Sequence, residues 1–288
     1  MGVRRAVNIA LEAAKSPEAK VYTLGPLIHN SRVLGNLKNQ GIGILAENEI
    51  EKIPPESTVI IRAHGTTVKL DKELKQRGVR ILDATCFHVK ENRKKAQDFA
   101  GKGYKIFLAG EKDHSEIIGI RSYVEASCPA LDVPNCLVVA NPEEAECSAS
   151  ALFHNIAKTK TASCFRCALI GQTTISNEEY NAIAEAIKKY FPNLEVVDTV
   201  CRATRDRQEA LRKLCGQVNA IIIIGSRESA NTRRLLALAK DYGKQGWLVE
   251  TIQDIPPELR TFGTVGISAG ASTPEDLITE IHKTLENY

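Results

Sequence analysis

The sequence has no long apolar run. Its longest uninterrupted stretch is about five residues, Ala220 to Ile224, in a chain of 288. Crossing a bilayer takes ~18 such residues, so no membrane span is expected. A secretory leader is missing too, because Arg4 and Arg5 are followed by Asn8 and Glu12 instead of an apolar core. Met1-Gly2 lacks the Ser or Thr of a myristoylation motif, since position 6 is Ala6. Charge is not lopsided: 38 Lys and Arg face 35 Asp and Glu, which argues against a dedicated nucleic-acid binder. No low-complexity tract or long charge run is present. These absences predict a cytoplasmic chain with no membrane or nucleic-acid partner. Thiols stay reduced there, so the eight cysteines are read as metal-binding, catalytic or inert, not disulfide-bonded. At about 150 residues per domain, length alone suggests about two domains.

What is present is a recurring pattern of short apolar run, polar glycine-containing loop and helical stretch. The runs are Lys20–Leu24, Thr58–Ile61, Val79–Leu82, Lys105–Ala109, Cys136–Ala140, Ala168–Ile170, Glu195–Val197, Ala220–Ile224, Gly246–Val249 and Thr264–Ile267. They show little polar alternation, as strands buried on both faces do. Amphipathic stretches Val89–Gly101, Glu178–Tyr190, Asp206–Cys215 and Thr232–Tyr242 lie between them. Strand–helix alternation implies parallel sheets covered by helices. Ser176-Asn177-Glu178-Glu179 and Thr273-Pro274-Glu275-Asp276 look like capped helix starts.

The chain also repeats internally. Asp83-Ala84-Thr85-Cys86 leads through a basic helical stretch to a run ending in Gly110. Asp198-Thr199-Val200-Cys201 leads in the same way to Gly225. Cys to Gly is 24 residues in both copies (110 − 86 and 225 − 201). Four residues past each Gly stands His114 or Ser229, and six past stands Glu116 or Asn231. A third copy has the helical start Gly2–Ala14, the run ending in Gly25, and His29 four residues on. Counting back 24 from Gly25 lands on Met1, so this copy lacks its Cys and the strand before it. Three small α/β domains, not two, are therefore expected: 1–84, 85–197 and 198–270, followed by a C-terminal helical segment 271–288.

A lone buried cysteine is usually an inert apolar residue. The matched register favours function for Cys86 and Cys201. Each sits at a strand end before a helix, where the positive end of the helix dipole favours thiolate and ligation. Two thiolates with a missing third suit an iron–sulfur cluster better than structural zinc, which takes four ligands at clustered spacing. Six polar loops follow the strands, at Gly25–Asn30, Arg62–Thr67, Gly110–Glu116, Gly171–Thr174, Gly225–Asn231 and Ser268–Ser272. Ligands bind outside the C-terminal ends of parallel strands, and amides at helix starts attract anions. His, Ser, Thr and Asn there could cage a diphosphate, or could be ordinary turn and capping residues. Glu116 could deliver a proton, or could be a helix-start acid held by the dipole. Cys164-Phe165-Arg166-Cys167 has no second pair at zinc spacing. Cys128, Cys136, Cys147 and Cys215 are read as inert, and His88, His154 and His282 lack supporting neighbours. Trp247 reads as core.

The ordered set Gly2-Val3-Arg4-Arg5-Ala6, Ile28-His29-Asn30, Ala63-His64-Gly65, Asp83–Cys86, His114-Ser115-Glu116, Gln172-Thr173-Thr174, Cys201–Thr204, Arg207–Ala210, Gly225-Ser226, Ser229-Ala230-Asn231 and Ala269–Ser272 resembles the 4-hydroxy-3-methylbut-2-enyl diphosphate reductase family. The resemblance spans nearly the whole chain. It implies three pseudo-symmetric α/β domains in a trefoil around a central site, with a cysteine from each holding a 4Fe–4S cluster. Cys86 and Cys201 would be ligands. His29, His64, Ser229, Asn231 and Ser272 would hold the diphosphate. His114, Glu116 and Thr173 would lie near the substrate hydroxyl, with Glu116 as proton donor. The implied reaction is reductive dehydroxylation to isopentenyl and dimethylallyl diphosphates, with ferredoxin or flavodoxin as an external electron donor. Four positions depart from the family pattern. Phe87 stands where Pro is common, Arg202 where an aromatic is common, and Ala230 where Ser is common. The first cluster cysteine would fall just before Met1, and the expectation is a start assigned too late. Rival readings are a cluster-less diphosphate-binding paralogue and a zinc module built on Cys164 and Cys167.

Overall fold

The computed structural model describes residues 2–15, 20–128, 134–157 and 165–287. Helix α1 (Gly2–Ala14) precedes β1 (Val21–Leu24), α2 (Ser31–Asn39), β2 (Gly43–Leu45), β3 (Thr58–Ile61), α3 (Val68–Gln76) and β4 (Arg80–Asp83). The second unit runs α4 (Phe87–Gly101), β5 (Lys105–Ala109), α5 (Ser115–Ser127), β6 (Cys136–Val139), α6 (Pro142–Ala157), β7 (Cys167–Gly171), α7 (Asn177–Lys188) and β8 (Glu195–Val196). The third runs α8 (Arg202–Cys215), β9 (Ala220–Ile224), α9 (Ala230–Asp241), β10 (Gln245–Val249), β11 (Val265–Ala269) and α10 (Glu275–Glu286). Three separate sheets result, in orders β2-β1-β3-β4, β6-β5-β7-β8 and β10-β9-β11. Every strand pairing is parallel, as the unalternated apolar runs required.

Each sheet is built on a fully buried central strand. All five residues of β9 are 0% exposed. Burying each of its four isoleucines contributes roughly 1.5–3 kcal/mol. Helices cover both faces: Leu211, Cys215 and Leu235 pack on one side of β9, and Leu277 and Ile281 of α10 on the other. Trp247 joins this second cluster, edge-on to Phe262.

The units close on one another in a cycle. In α5, Gly119 comes so near the first unit that a Cβ there would lie 3.2 Å from the Thr66 carbonyl oxygen. In α9, Arg234 reaches Thr174 of the second unit at 2.8 Å. The Ser272 hydroxyl of the third unit donates to the His29 carbonyl of the first at 3.3 Å, and Arg32 pairs with Asp276 and Glu280 of α10. Each unit thus leans on the loops of the next, and the strand-end loops meet in the middle.

Some local expectations needed adjustment. Ser176 caps α7 by accepting from the Glu179 N–H at 3.0 Å. Thr273 does not cap α10: the cap position is Pro274, and the Thr273 hydroxyl instead donates to the Ile224 carbonyl, pinning the loop to β9. Helix α8 begins at Arg202, four residues before the amphipathic stretch, because its first turn, Arg202-Ala203-Thr204-Arg205, is largely polar and carries no apolar periodicity. Strand β2 and helices α2, α3, α5 and α6 carried no strong sequence signal. No helix among the described residues is long and apolar enough to cross a membrane.

Candidate active site

The glycine that ends each 24-residue span from Cys has a geometric cause. Gly110 and Gly225 end their strands with φ 157° and 146°, a region L side chains rarely adopt. A Cβ would also clash, lying 2.6 Å from Gln172 Oε1 at Gly110 and 2.8 Å from Thr273 Oγ1 at Gly225. At both positions the chain turns sharply away from the sheet and into the loop that starts the next helix.

Cys86 and Cys201 occupy the N-cap positions of α4 and α8, and neither side chain accepts a capping hydrogen bond. Both thiols are half-buried and free. Their backbones are anchored alike: the Cys86 N–H donates to the Ala63 carbonyl at 2.9 Å, and the Cys201 N–H to the Thr173 carbonyl at 3.0 Å. The start of α1 lies against the first of them, since a Cβ on Gly2 would sit 2.5 Å from Cys86 Sγ. Two thiols at helix starts suit thiolate ligation to a metal centre. Among the described residues, no three His, Cys, Asp or Glu side chains come together as a metal group.

Three histidines line up across the junction of the first and second units. The His29 and His64 rings stack with centroids 5.2 Å apart, and His114 meets His64 edge-on at 5.2 Å. Burial lowers the pKa of all three, and the Arg62 charge adds to it. His114 falls to about 3. The row is therefore neutral near pH 7. His114 also caps α5, its Nδ1 accepting from the Glu116 N–H at 3.2 Å, which leaves its proton on Nε2 as a donor.

Glu116 lies in the first turn of α5 yet is 1% exposed. Its Oε1 accepts from the Thr173 N–H and its Oε2 from the Thr173 hydroxyl, both at 2.8 Å. Burial raises its pKa to about 7, against the opposing pull of those hydrogen bonds and of the Arg234 charge. A carboxyl poised there holds a proton at neutral pH and can release it.

The third unit offers neutral donors. Ser229 caps α9, accepting from the Thr232 N–H at 3.4 Å, and Asn231 sits two residues further on. Asn231 Nδ2 and His64 Nδ1 are buried with no hydrogen-bond partner. Leaving such groups unpaired costs about 1–3 kcal/mol each, so they call for a polar ligand. Ser272 is nearly buried beside His29. A cavity of about 670 Å³ adjoins it, lined among others by Ile28, Arg207 and Ser268–Ser272.

The structure thus brings His29, His64, His114, Glu116, Thr173 and Ser272 into direct or one-residue contact, with Ser229 and Asn231 on the helix that touches the Thr173 loop. Capping and site geometry coincide at His114 and Ser229. The remaining cysteines stand apart. Cys136 and Cys167 lie in strands with thiols pushed up to about 12 by burial, and Cys215, the last residue of α8, is buried against β9. Cys164 lies outside the described residues, so the Cys164–Cys167 pair has no described geometry. Sequence reasoning missed Arg234, one charged residue among several in the amphipathic stretch Thr232–Tyr242. No sequence feature marked it, because its partners come from another unit.

Three parallel sheets in a cycle, with paired helix-start thiols and a dry carboxyl beside neutral histidines, define a three-unit α/β enzyme. The LytB protein family model matches residues 1–286. A 4-hydroxy-3-methylbut-2-enyl diphosphate reductase of Treponema denticola is 40% identical over 289 residues, covering 99% of this chain and 94% of that protein. The reductase so named in Aquifex aeolicus is 36% identical, over 99% and 92%. Among solved structures, the E-1-hydroxy-2-methyl-but-2-enyl-4-diphosphate reductase of Plasmodium falciparum superposes with TM-score 0.87 at 25% identity, covering 99% of this chain and 84% of that one. The chain belongs to the LytB family.

Proposed function

We propose that this chain catalyses the reductive dehydroxylation of 4-hydroxy-3-methylbut-2-enyl diphosphate to isopentenyl and dimethylallyl diphosphates. The observation that carries the reading is the Glu116 carboxyl, 1% exposed and held by Thr173 beside three neutral imidazoles. The names of the relatives agree with it. In this reading the allylic alcohol takes up two electrons and two protons, its C–O bond breaks, and water leaves. Protonated Glu116 delivers a proton to the departing oxygen, while Thr173 and the His114 Nε2–H orient that oxygen. His29, His64, Ser229, Asn231 and Ser272 bind the diphosphate, whose charge satisfies the unpaired His64 and Asn231 nitrogens. Burial of the Glu116 carboxyl and Thr173 excludes water from the proton-delivering end.

Cys86 and Cys201 are proposed as two ligands of a 4Fe–4S cluster, whose third thiolate would come from outside these two residues. When bound, such a cluster would supply Lewis-acidic iron to the substrate oxygen and a route for two electrons. A ferredoxin or flavodoxin would be the external donor, and a cytoplasmic setting would keep the thiols reduced. Each proposed domain, 1–84, 85–197 and 198–270 with the 271–288 segment, contributes one side of this site. The test is anaerobic production with a cysteine-bearing extension ahead of Met1. Brown, iron-loaded protein that turns over the diphosphate with a low-potential reductant is expected. Colourless, iron-free protein that still binds the diphosphate would instead identify a cluster-less binding paralogue.

A further inference from the structure

The first turns of α9 carry an arginine that the proposed reaction does not use. Arg234 has a side chain only 13% exposed and crosses from the third unit to the second. Its Nη1 donates to Thr174 Oγ1 at 2.8 Å, its Nη2 lies 3.7 Å from Glu111 Oε1, and its Nε lies 3.6 Å from Glu179 Oε2. Thr174 Oγ1 also accepts from Gln172 Nε2 at 2.9 Å, and Gln172 Oε1 accepts from the Glu111 N–H at 3.0 Å. Both residues flanking Thr173 are therefore fixed, Gln172 by the loop after β5 and Thr174 by α9. Thr173 in turn grips the Glu116 carboxyl with two hydrogen bonds.

We infer that Arg234 is a positioning residue for Glu116, clamping the 172–174 turn and tying the helix of Ser229 and Asn231 to the carboxyl. The catalytic meaning rests on the proposed function; the clamp itself does not. A planar guanidinium can serve Thr174, Glu111 and Glu179 together, which a lysine ammonium cannot match. Other groups face the pair from every side: His114 from α5, His29 and His64 from the first unit, Glu111 from the loop after β5, Glu179 from α7 and Arg233 from α9. The histidines are neutral, the two glutamates face the guanidinium, and Arg233 pairs with Glu111. That leaves Arg234 as the cation acting on Glu116, favouring its ionised form against burial.

The experiment compares Arg234→Gln, Arg234→Lys and Thr174→Val. The Glu116 carboxyl is titrated by infrared spectroscopy in protein without cluster, its band assigned by its disappearance in Glu116→Gln. The pH profile of kcat is measured in loaded protein. Arg234→Gln should move the Glu116 midpoint upward and lower kcat roughly 10- to 100-fold, as misplacement of a reacting group does. Arg234→Lys should restore the midpoint and only part of kcat. Thr174→Val, which keeps the charge, should lower kcat with little change in midpoint. A midpoint unmoved in Arg234→Gln, or a kcat near wild type in both Arg234→Gln and Thr174→Val, overturns the inference. If the wild-type protein turns over no diphosphate, the proposed function fails separately, and the infrared midpoints still decide whether Arg234 governs Glu116.

Discussion

The second and third units are the same device with different contents. Each presents a cysteine at a helix start, a buried strand, a glycine with positive φ and a capped helix, in one register. Even the surroundings repeat. The aspartate three residues before each cysteine pairs with a cation four residues after it, Asp83 with Lys90 at 2.6 Å and Asp198 with Arg205. The contents differ at two positions. Gly+4 is the imidazole His114 in one and the hydroxyl Ser229 in the other, and both cap their helices. Gly+6 is Glu116, fully bonded to Thr173 and proton-holding, against Asn231, whose amide nitrogen is left unpaired. A duplicated backbone fixes where a side chain points; under the proposed function, the residue placed there decides whether the unit moves a proton or holds an anion.

The comparison breaks most visibly at the cysteines. Cys86→Ser and Cys201→Ser should each abolish iron binding in anaerobically reconstituted protein, and to the same extent. Full iron loading in either variant would remove that cysteine from the ligand set. Next comes the difference at Gly+6. Glu116→Gln should cut turnover at least ~10²-fold while pyrophosphate affinity stays near wild type. Asn231→Ala should do the reverse, weakening pyrophosphate binding about tenfold or more, as loss of a hydrogen bond to a charged group does. Equal effects of the two on binding, by calorimetry, would erase the distinction between the units.

Much of this was legible in the sequence because duplication wrote it twice. The central strands, the start of α1 and the paired cysteines follow from apolar runs and one repeated spacing. The Glu116–Thr173 contact could not be read that way. It joins residues 57 apart, and neither shows by itself which way it faces. Arg234 was harder still, because its meaning depends on the packing of one unit against another. Short edge strands such as Gly43–Leu45 escaped because their residues are only partly buried and leave no apolar run. Where the chain is its own template, sequence suffices; where units meet, only the packing supplies the answer.

The glycines that make the register are the next point of attack. Gly110→Ala and Gly225→Ala should each cost about 1–3 kcal/mol in denaturant unfolding, from positive φ and a Cβ clash combined. Gly35→Ala in α2, where a Cβ meets nothing within 4 Å, should be neutral or stabilising. Similar losses at all three would mean the repeated turn is not what the spacing protects.

The smallest effect separates Glu116 from Asn231 without any substrate. The half-buried histidines bind protons more weakly folded than unfolded, so the folded protein loses stability as pH falls from 6.5 through the lowered values, about 3 for His114. Glu116 works in the opposite sense. Its pKa rises from 4.5 to about 7, so the folded state holds a proton that the unfolded chain has released. Its contribution is thus favourable at low pH, and is lost as pH rises from 4.5 to about 7. Between pH 4.5 and 6.5 it offsets the histidines by up to about 1.4 kcal/mol per pH unit. Glu116→Gln should therefore make acid destabilisation steeper by about that amount, read from urea midpoints across the window. Asn231→Ala, at the matching place in the third unit, should leave the slope unchanged. If the Glu116→Gln slope equals that of wild type, the carboxyl is ionised in the folded protein, and the two units differ in less than their residues suggest.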